Sequence, residues 1–186
     1  MPGTLLVVDV QQGFINDFTR HIPERIARLI ERGQFDLILM TRFVNEADGP
    51  YHRFLDWHEC VRPPETDIVP ELERWAVPDR TYTKPGFTGL SDDLTSDLRE
   101  GSLDEIAIVG IDTDMCVLKI AMDVFDLGIK PVVLVDCCAS TAGLQAHLAG
   151  LAVLARNIGA AQLHDAGLSG GVLGAPIGDD AEDGGL

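Results

Sequence analysis

The sequence predicts an α/β fold, with a mostly parallel sheet of about six strands covered by helices on both faces. Three observations predict it. Apolar runs without polar alternation recur along the chain, as in Leu5-Leu-Val-Val8 and Ile106-Ala-Ile-Val109, and mark strands buried on both sides. Amphipathic runs of helix length separate them, and strand-helix alternation builds right-handed βαβ crossovers, hence parallel pairing. At 186 residues, 46% of them hydrophobic, the chain suits one domain with its own core.

Taken in order, Thr4–Asp9 reads as a doubly buried strand and Ile22–Arg32 as a helix, with Pro23 in its first turn and Gly33 as its stop. Asp36–Thr41 is a second strand. Arg42 to Thr66 shows no period and holds Pro50, Pro63 and Pro64; a loop of this length in a compact domain is functional or interface-forming. A short helix is expected over Asp67–Trp75 and a third strand over Arg80–Lys84. Ser91–Glu100 is a helix with Ser91 as N-cap and Gly101 as stop. Glu105–Val109 is a fourth strand, Thr113–Leu127 a helix stopped by Gly128, and Lys130–Asp136 a fifth strand. Thr141–Asn157 reads as a long helix stopped by Gly159, and Ala160–Leu163 as a short sixth strand. Residues 1–164 form the predicted domain; 165–186, rich in Gly, Asp and Ala, form an acidic tail expected to be mobile.

With 30 acidic against 14 basic residues, the formal charge is −16. Such a field repels nucleic acid and anionic membranes, so neither is an expected partner. Cys60, Cys116, Cys137 and Cys138 are too few and too unevenly placed for a disulfide scaffold and include no C-x-x-C pair, so reduced thiols in the cytoplasm are expected. The N-terminus lacks a basic segment followed by a cleavable apolar one, and no signal peptide is expected.

Three side chains of complementary chemistry fall at equivalent places. Asp9 ends strand one, Lys84 ends strand three, and Cys116 follows strand four in Glu105-Ile-Ala-Ile-Val-Gly-Ile-Asp-Thr-Asp-Met-Cys-Val117. Doubly wound sheets bind ligands at the carboxyl ends of their strands. A thiol reacts as thiolate, which a helix N-terminus and a nearby cation favour, and a lysine keeps a neighbouring carboxylate ionised. Taken singly, each residue has an ordinary reading as cap, surface lysine or core thiol; their conjunction points to nucleophilic catalysis. Cys137 and Cys138 are assigned to the core and Cys60 to the long loop.

The motifs Leu5-Leu-Val-Val-Asp-Val-Gln-Gln-Gly-Phe14, Lys84-Pro-Gly-Phe-Thr88 and Val109-Gly-Ile-Asp-Thr-Asp-Met-Cys-Val117, in this order and spacing, resemble the isochorismatase-like cysteine hydrolase superfamily from about Thr4 to Leu163. That superfamily includes nicotinamidases, N-carbamoyl-amino-acid amidohydrolases and isochorismatases. The resemblance implies a Rossmann-like three-layer α/β/α sandwich assembled as a homodimer or homotetramer. It makes Cys116 the nucleophile, Asp9 the base and Lys84 the cation that lowers the thiol pKa. It also implies a non-proline cis peptide at Ile111–Asp112 and an oxyanion hole from the N–H groups of Asp112 and Cys116.

Two departures are visible. Metal-binding nicotinamidases carry an Asp-x-His pattern and a second His after strand two; here Asp48 and His52 are four apart, so no metal and no cofactor are expected. Asp112 stands where small apolar residues are frequent; an outward-turned carboxylate and one that restricts acidic substrates are both open. Arg42 is a candidate for a substrate carboxylate, and Phe14 and Trp57, with Phe43, for pocket walls. His52, His58 and His147 are read as ordinary surface or packed histidines. The expected function is metal-independent hydrolysis of a small amide or ureido C–N bond through a Cys116 thioester. Vinyl-ether hydrolysis and a non-catalytic binding role are the alternatives.

Overall fold

The computed structural model describes residues 3–168. The acidic tail assigned to 165–186 therefore lies outside the described residues from 169 onward. Six strands form one parallel sheet: β1 (Thr4–Val8), β2 (Leu37–Phe43), β3 (Thr81–Lys84), β4 (Glu105–Ile111), β5 (Lys130–Ala139) and β6 (Leu163–His164), in the spatial order β3-β2-β1-β4-β5-β6. The chain winds outward from β1 to β3, then crosses back to β4 on the other side of β1. The switch point thus lies between β1 and β4.

Strand parity sorts the core into two layers. Leu5 and Val7 face Ile22, Ile26 and Leu29 of α1 (Ile22–Glu31). Leu6 and Val8 face the opposite layer, built from Leu94 and Leu98 of α3 (Asp92–Glu100), Ile120 and Val124 of α4 (Leu118–Asp126), and Leu154 of α5 (Leu144–Leu154). The result is the three-layer α/β/α sandwich. Ser91 caps α3, its side chain accepting from Leu94 N–H at 3.2 Å. Among the described residues, no helix is long and apolar enough to cross a membrane.

Several elements differ from the sequence reading: β4 and β5 run two and three residues further, to Ile111 and Ala139, and Ala160–Gln162 is a 3₁₀ turn that leaves only Leu163–His164 as β6. Asp67–Trp75 is not a helix. Pro70 has no N–H to give, and the neighbouring backbone is drawn into extended contact beyond β1: Val69 N–H donates to the Val10 carbonyl (3.2 Å) and Gln12 N–H to the Asp67 carbonyl (2.9 Å). Only Glu73–Trp75 turns, as a 3₁₀ segment. β2 runs on to Phe43, paired with Lys84, and the following loop contains a short helix, α2 (Pro50–Leu55), begun by proline and ended by Asp56 with φ 51°. The helix expected from Thr113 opens with a wide π turn, Thr113–Val117, before α4 begins. Finally, α5 starts only at Leu144, after Gly143 with φ 93°, and its C-terminal end widens into a second π turn, Ala155–Gly159. The first tail residues are tied down: Ala166 N–H donates to the Asp136 carboxylate at 2.7 Å, and Arg32 donates to the carbonyls of Ala166 and Gly167.

Candidate active site

β1, β3 and β4 end at the same edge of the sheet, and there Asp9, just after β1, Lys84, the last residue of β3, and Cys116, in the turn after β4, converge. Asp9 follows β1 with φ 51°, a left-handed conformation that costs an aspartate about 1 kcal/mol. Its carboxylate accepts from Thr41 Oγ1 at 2.7 Å and lies 2.7 Å from Lys84 Nζ. Lys84 also donates to the Gly86 carbonyl (2.7 Å) and to Cys116 Sγ (3.4 Å), so its ammonium has two hydrogen bonds beside the ion pair. Asp9, Lys84 and Cys116 are 0%, 2% and 8% exposed. At this depth the charges exist only as a pair.

Close packing holds the turn that carries Cys116. Gly110, with φ +137°, lies so near β1 that a Cβ there would meet the Val8 carbonyl oxygen at 2.1 Å. Gly150 lets α5 rest on the turn, since a Cβ there would meet the Asp114 backbone at 2.7 Å. His147 of α5 bonds Thr113 Oγ1 at 2.8 Å, and the Asp112 carbonyl accepts from Met115 and Val117 N–H. The Ile111–Asp112 peptide is cis. The Asp112 side chain is held by Thr141, which donates both its N–H and, at 2.9 Å, its Oγ1–H to the carboxylate. Burial raises this carboxyl to about 6, against the lowering effect of the Thr141 hydrogen bonds.

Lys84 acts on the Cys116 thiol in the direction the sequence predicts, lowering its pKa, but burial and a carboxylate act against it. Burial pushes its pKa up, the Asp9 charge adds to this, and Lys84 opposes both without prevailing. Burial alone would pull the Lys84 ammonium down, but Asp9 and Cys116 outweigh it and the net shift is upward. The resting arrangement is thus a thiol beside a carboxylate-ammonium pair. A carboxylate that could accept the thiol proton is held by the same lysine that touches the sulfur.

Above the thiol opens a cavity of about 460 Å³ whose walls carry Phe14, Phe43, Tyr51, Trp57 and Phe87. The rings of Phe14 and Trp57 stack at 6.4 Å, and Tyr51 meets Phe87 edge-on at 5.2 Å. Phe14 and Trp57 are therefore at the cleft, as are Asp112 and Cys116. Arg42 is not. Its strand neighbours Thr41 and Phe43 point toward the site, so period two turns Arg42 away; it donates to Thr83 Oγ1 at 3.0 Å and lines a separate cavity with Gln12 and Glu73.

Sequence reasoning missed Thr41, Tyr51, Asn45 and Thr141. Asn45 Nδ2 donates to the carbonyls of Trp57 and Glu59, both at 3.0 Å, and so shapes the aromatic wall. Thr41 alone was foreseeable, as the inward residue of β2 level with Val8. Cys60 packs on Phe43 and Tyr51 beneath the wall. The rings of His52 and His58 are 4.4 Å apart, but His58 Nε2 bonds Asp56. Among the described residues no three His, Cys, Asp or Glu side chains gather as metal ligands. The donor set does not fit the metal of the metal-binding nicotinamidases.

The isochorismatase domain model matches residues 4–165, and the chain belongs to the isochorismatase family. No curated protein matches it. Among solved structures it is similar to an isochorismatase-like hydrolase from Alkaliphilus metalliredigens, with TM-score 0.74 and 20% identity over 89% of this chain and 96% of that one. N-carbamoylsarcosine amidase from Thermoplasma acidophilum gives 0.74 and 20% over 92% and 100%, and a nicotinamidase from Bacillus subtilis gives 0.73 and 22% over 89% and 100%. At these identities the likeness speaks for the fold.

Proposed function

We propose that this hydrolase cleaves a small amide or ureido C–N bond through a Cys116 thioester, without a metal. The observation that carries the reading is the buried trio, in which Lys84 Nζ lies 2.7 Å from Asp9 and 3.4 Å from Cys116 Sγ beneath an open cleft. As Sγ adds to the carbonyl carbon, the thiol proton passes to Asp9 and the carbonyl electron pair moves onto oxygen. The N–H groups of Asp112 and Cys116 receive that oxyanion. Collapse expels the amine, which takes the proton from Asp9. Water then adds to the thioester, giving a proton to Asp9; the thiolate leaves, recovers that proton, and the acid is released. Throughout, Lys84 keeps Asp9 charged while unprotonated and faces the sulfur as it gains negative charge.

Ammonia release from a panel of small amides and ureido acids tests this, with wild type beside Cys116→Ala. The expected result is release by the wild type and loss in the variant to background, a drop of about 10⁴-fold or more. Activity retained without the thiol overturns the mechanism. Pyruvate release from a vinyl-ether substrate, with no ammonia from the panel, moves the assignment to ether cleavage.

A further inference from the structure

The cleft has a charge that acyl transfer does not require. Glu59 and Asp112 line it, and no Lys, Arg or His does so among the described residues. Residues 169–186 contain no Lys, Arg or His either. Lys84, below, is 2% exposed and already paired with Asp9, and Arg42 opens onto the other cavity. A carboxylate entering here meets two like charges and no free counter-ion, and it also loses its hydration. A cation meets the opposite situation. Phe14, Tyr51 and Trp57 stand within 5.7–6.4 Å of one another, centroid to centroid along Tyr51–Trp57–Phe14, and ring faces attract cations. Glu59, at the mouth, accepts from Trp57 Nε1 at 3.3 Å, which places its carboxylate against this aromatic wall. The formal charge of −16 adds a long-range field of the same sense.

Resting on the amide reading above, we propose that the substrate has a flat, positively charged body and no carboxylate, selected by the aromatic wall and Glu59. Three benzamides substituted at the 3-position by trimethylammoniomethyl, neopentyl or carboxymethyl test it. The methylene insulates the carbonyl from the charge, so differences report on the cleft. The expected kcat/KM falls about tenfold from cation to neutral and about tenfold again to anion. Glu59→Gln should reduce the cation's lead several-fold, as should about 0.5 M salt. An anion processed as fast as the neutral compound, a cation no faster than it, or a lead untouched by Glu59→Gln overturns the proposal. Calorimetric binding of the same three compounds to Cys116→Ala separates selection from chemistry. The same ranking in binding, with no turnover by wild type, counts against amide hydrolysis and supports the charge selection. Binding of none of them overturns the selection itself.

Discussion

At the floor of the cleft, polar groups meet at close range around one ion pair: Asp9 with Thr41 and Lys84, and Lys84 with Gly86 and Cys116. In the walls, contact is ring on ring, with centroids 5.0–6.4 Å apart among Phe14, Phe43, Tyr51, Trp57 and Phe87. The floor comes from three parallel strand ends fixed by the sheet register. Two of the five wall rings, Tyr51 and Trp57, come from the segment after β2, pinned through Asn45 to the backbone at Trp57 and Glu59. Chemistry is thus placed on the most rigid part of the molecule and selection on the most adaptable, so substitutions in the two regions should fail differently.

The sharpest way to break this contrast is Lys84→Met. It leaves the Asp9 carboxylate at 0% exposure without its cation. Removing one partner of a buried pair costs about 3–5 kcal/mol, and without the cation Asp9 is no longer held charged for the proton transfer proposed above. The expected outcome is a large fall in the denaturant midpoint together with loss of turnover. The double variant Asp9→Asn/Lys84→Met removes both charges and should recover most of that stability while remaining inactive. Full stability in Lys84→Met alone would mean that the floor does not depend on the pair.

The two regions also differ in how far they can be read without coordinates. Asp9, Lys84 and Cys116 were legible because a buried parallel strand is an apolar run, and the residue at its end must emerge at the ligand-binding edge. The same logic failed at Arg42. With β2 taken to end at Thr41, the next residue seemed to emerge at that edge; the strand in fact runs to Phe43 and parity turns Arg42 away. Tyr51 and Thr141 were not legible at all, because their places depend on α2 and on the turn after β5, set by contacts remote in sequence. The helix expected over Asp67–Trp75 was lost for the same reason, its backbone being held by Val10 and Gln12. The lowering effect of Lys84 on the thiol was legible, whereas the opposing push of burial was invisible in the motif.

Asp112 joins the two regions, lining the cleft with Cys116 and holding its carboxylate on Thr141. Its folded pKa, about 6, exceeds the ordinary 3.8. The folded state therefore binds the proton more tightly than the unfolded one. The favourable contribution is complete below about pH 4 and is lost as pH rises through about 6, a swing of about 2–3 kcal/mol. Asp112→Asn keeps an acceptor for Thr141 N–H and offers an N–H to Thr141 Oγ1. Its unfolding free energy should lack that part of the pH dependence. An unchanged slope between pH 4 and 6 would put the raised pKa in error.

The smallest effect is expected in the wall itself. Trp57 is only half-buried, so Trp57→Ala removes ring surface from the cleft without opening the core. It also removes the Glu59 partner at 3.3 Å and frees that carboxylate to move. If the walls bind the body of the substrate equally in ground and transition states, KM should rise by about tenfold while kcat stays within about twofold. Stability should change by less than about 1 kcal/mol, measured by denaturant unfolding, because the Phe43–Tyr51 contact at 5.0 Å and the buried Cys60 beneath it persist. A fall in kcat comparable to the rise in KM would mean that the wall also positions the carbonyl over Cys116, and the division between rigid chemistry and adaptable selection would then fail at this ring.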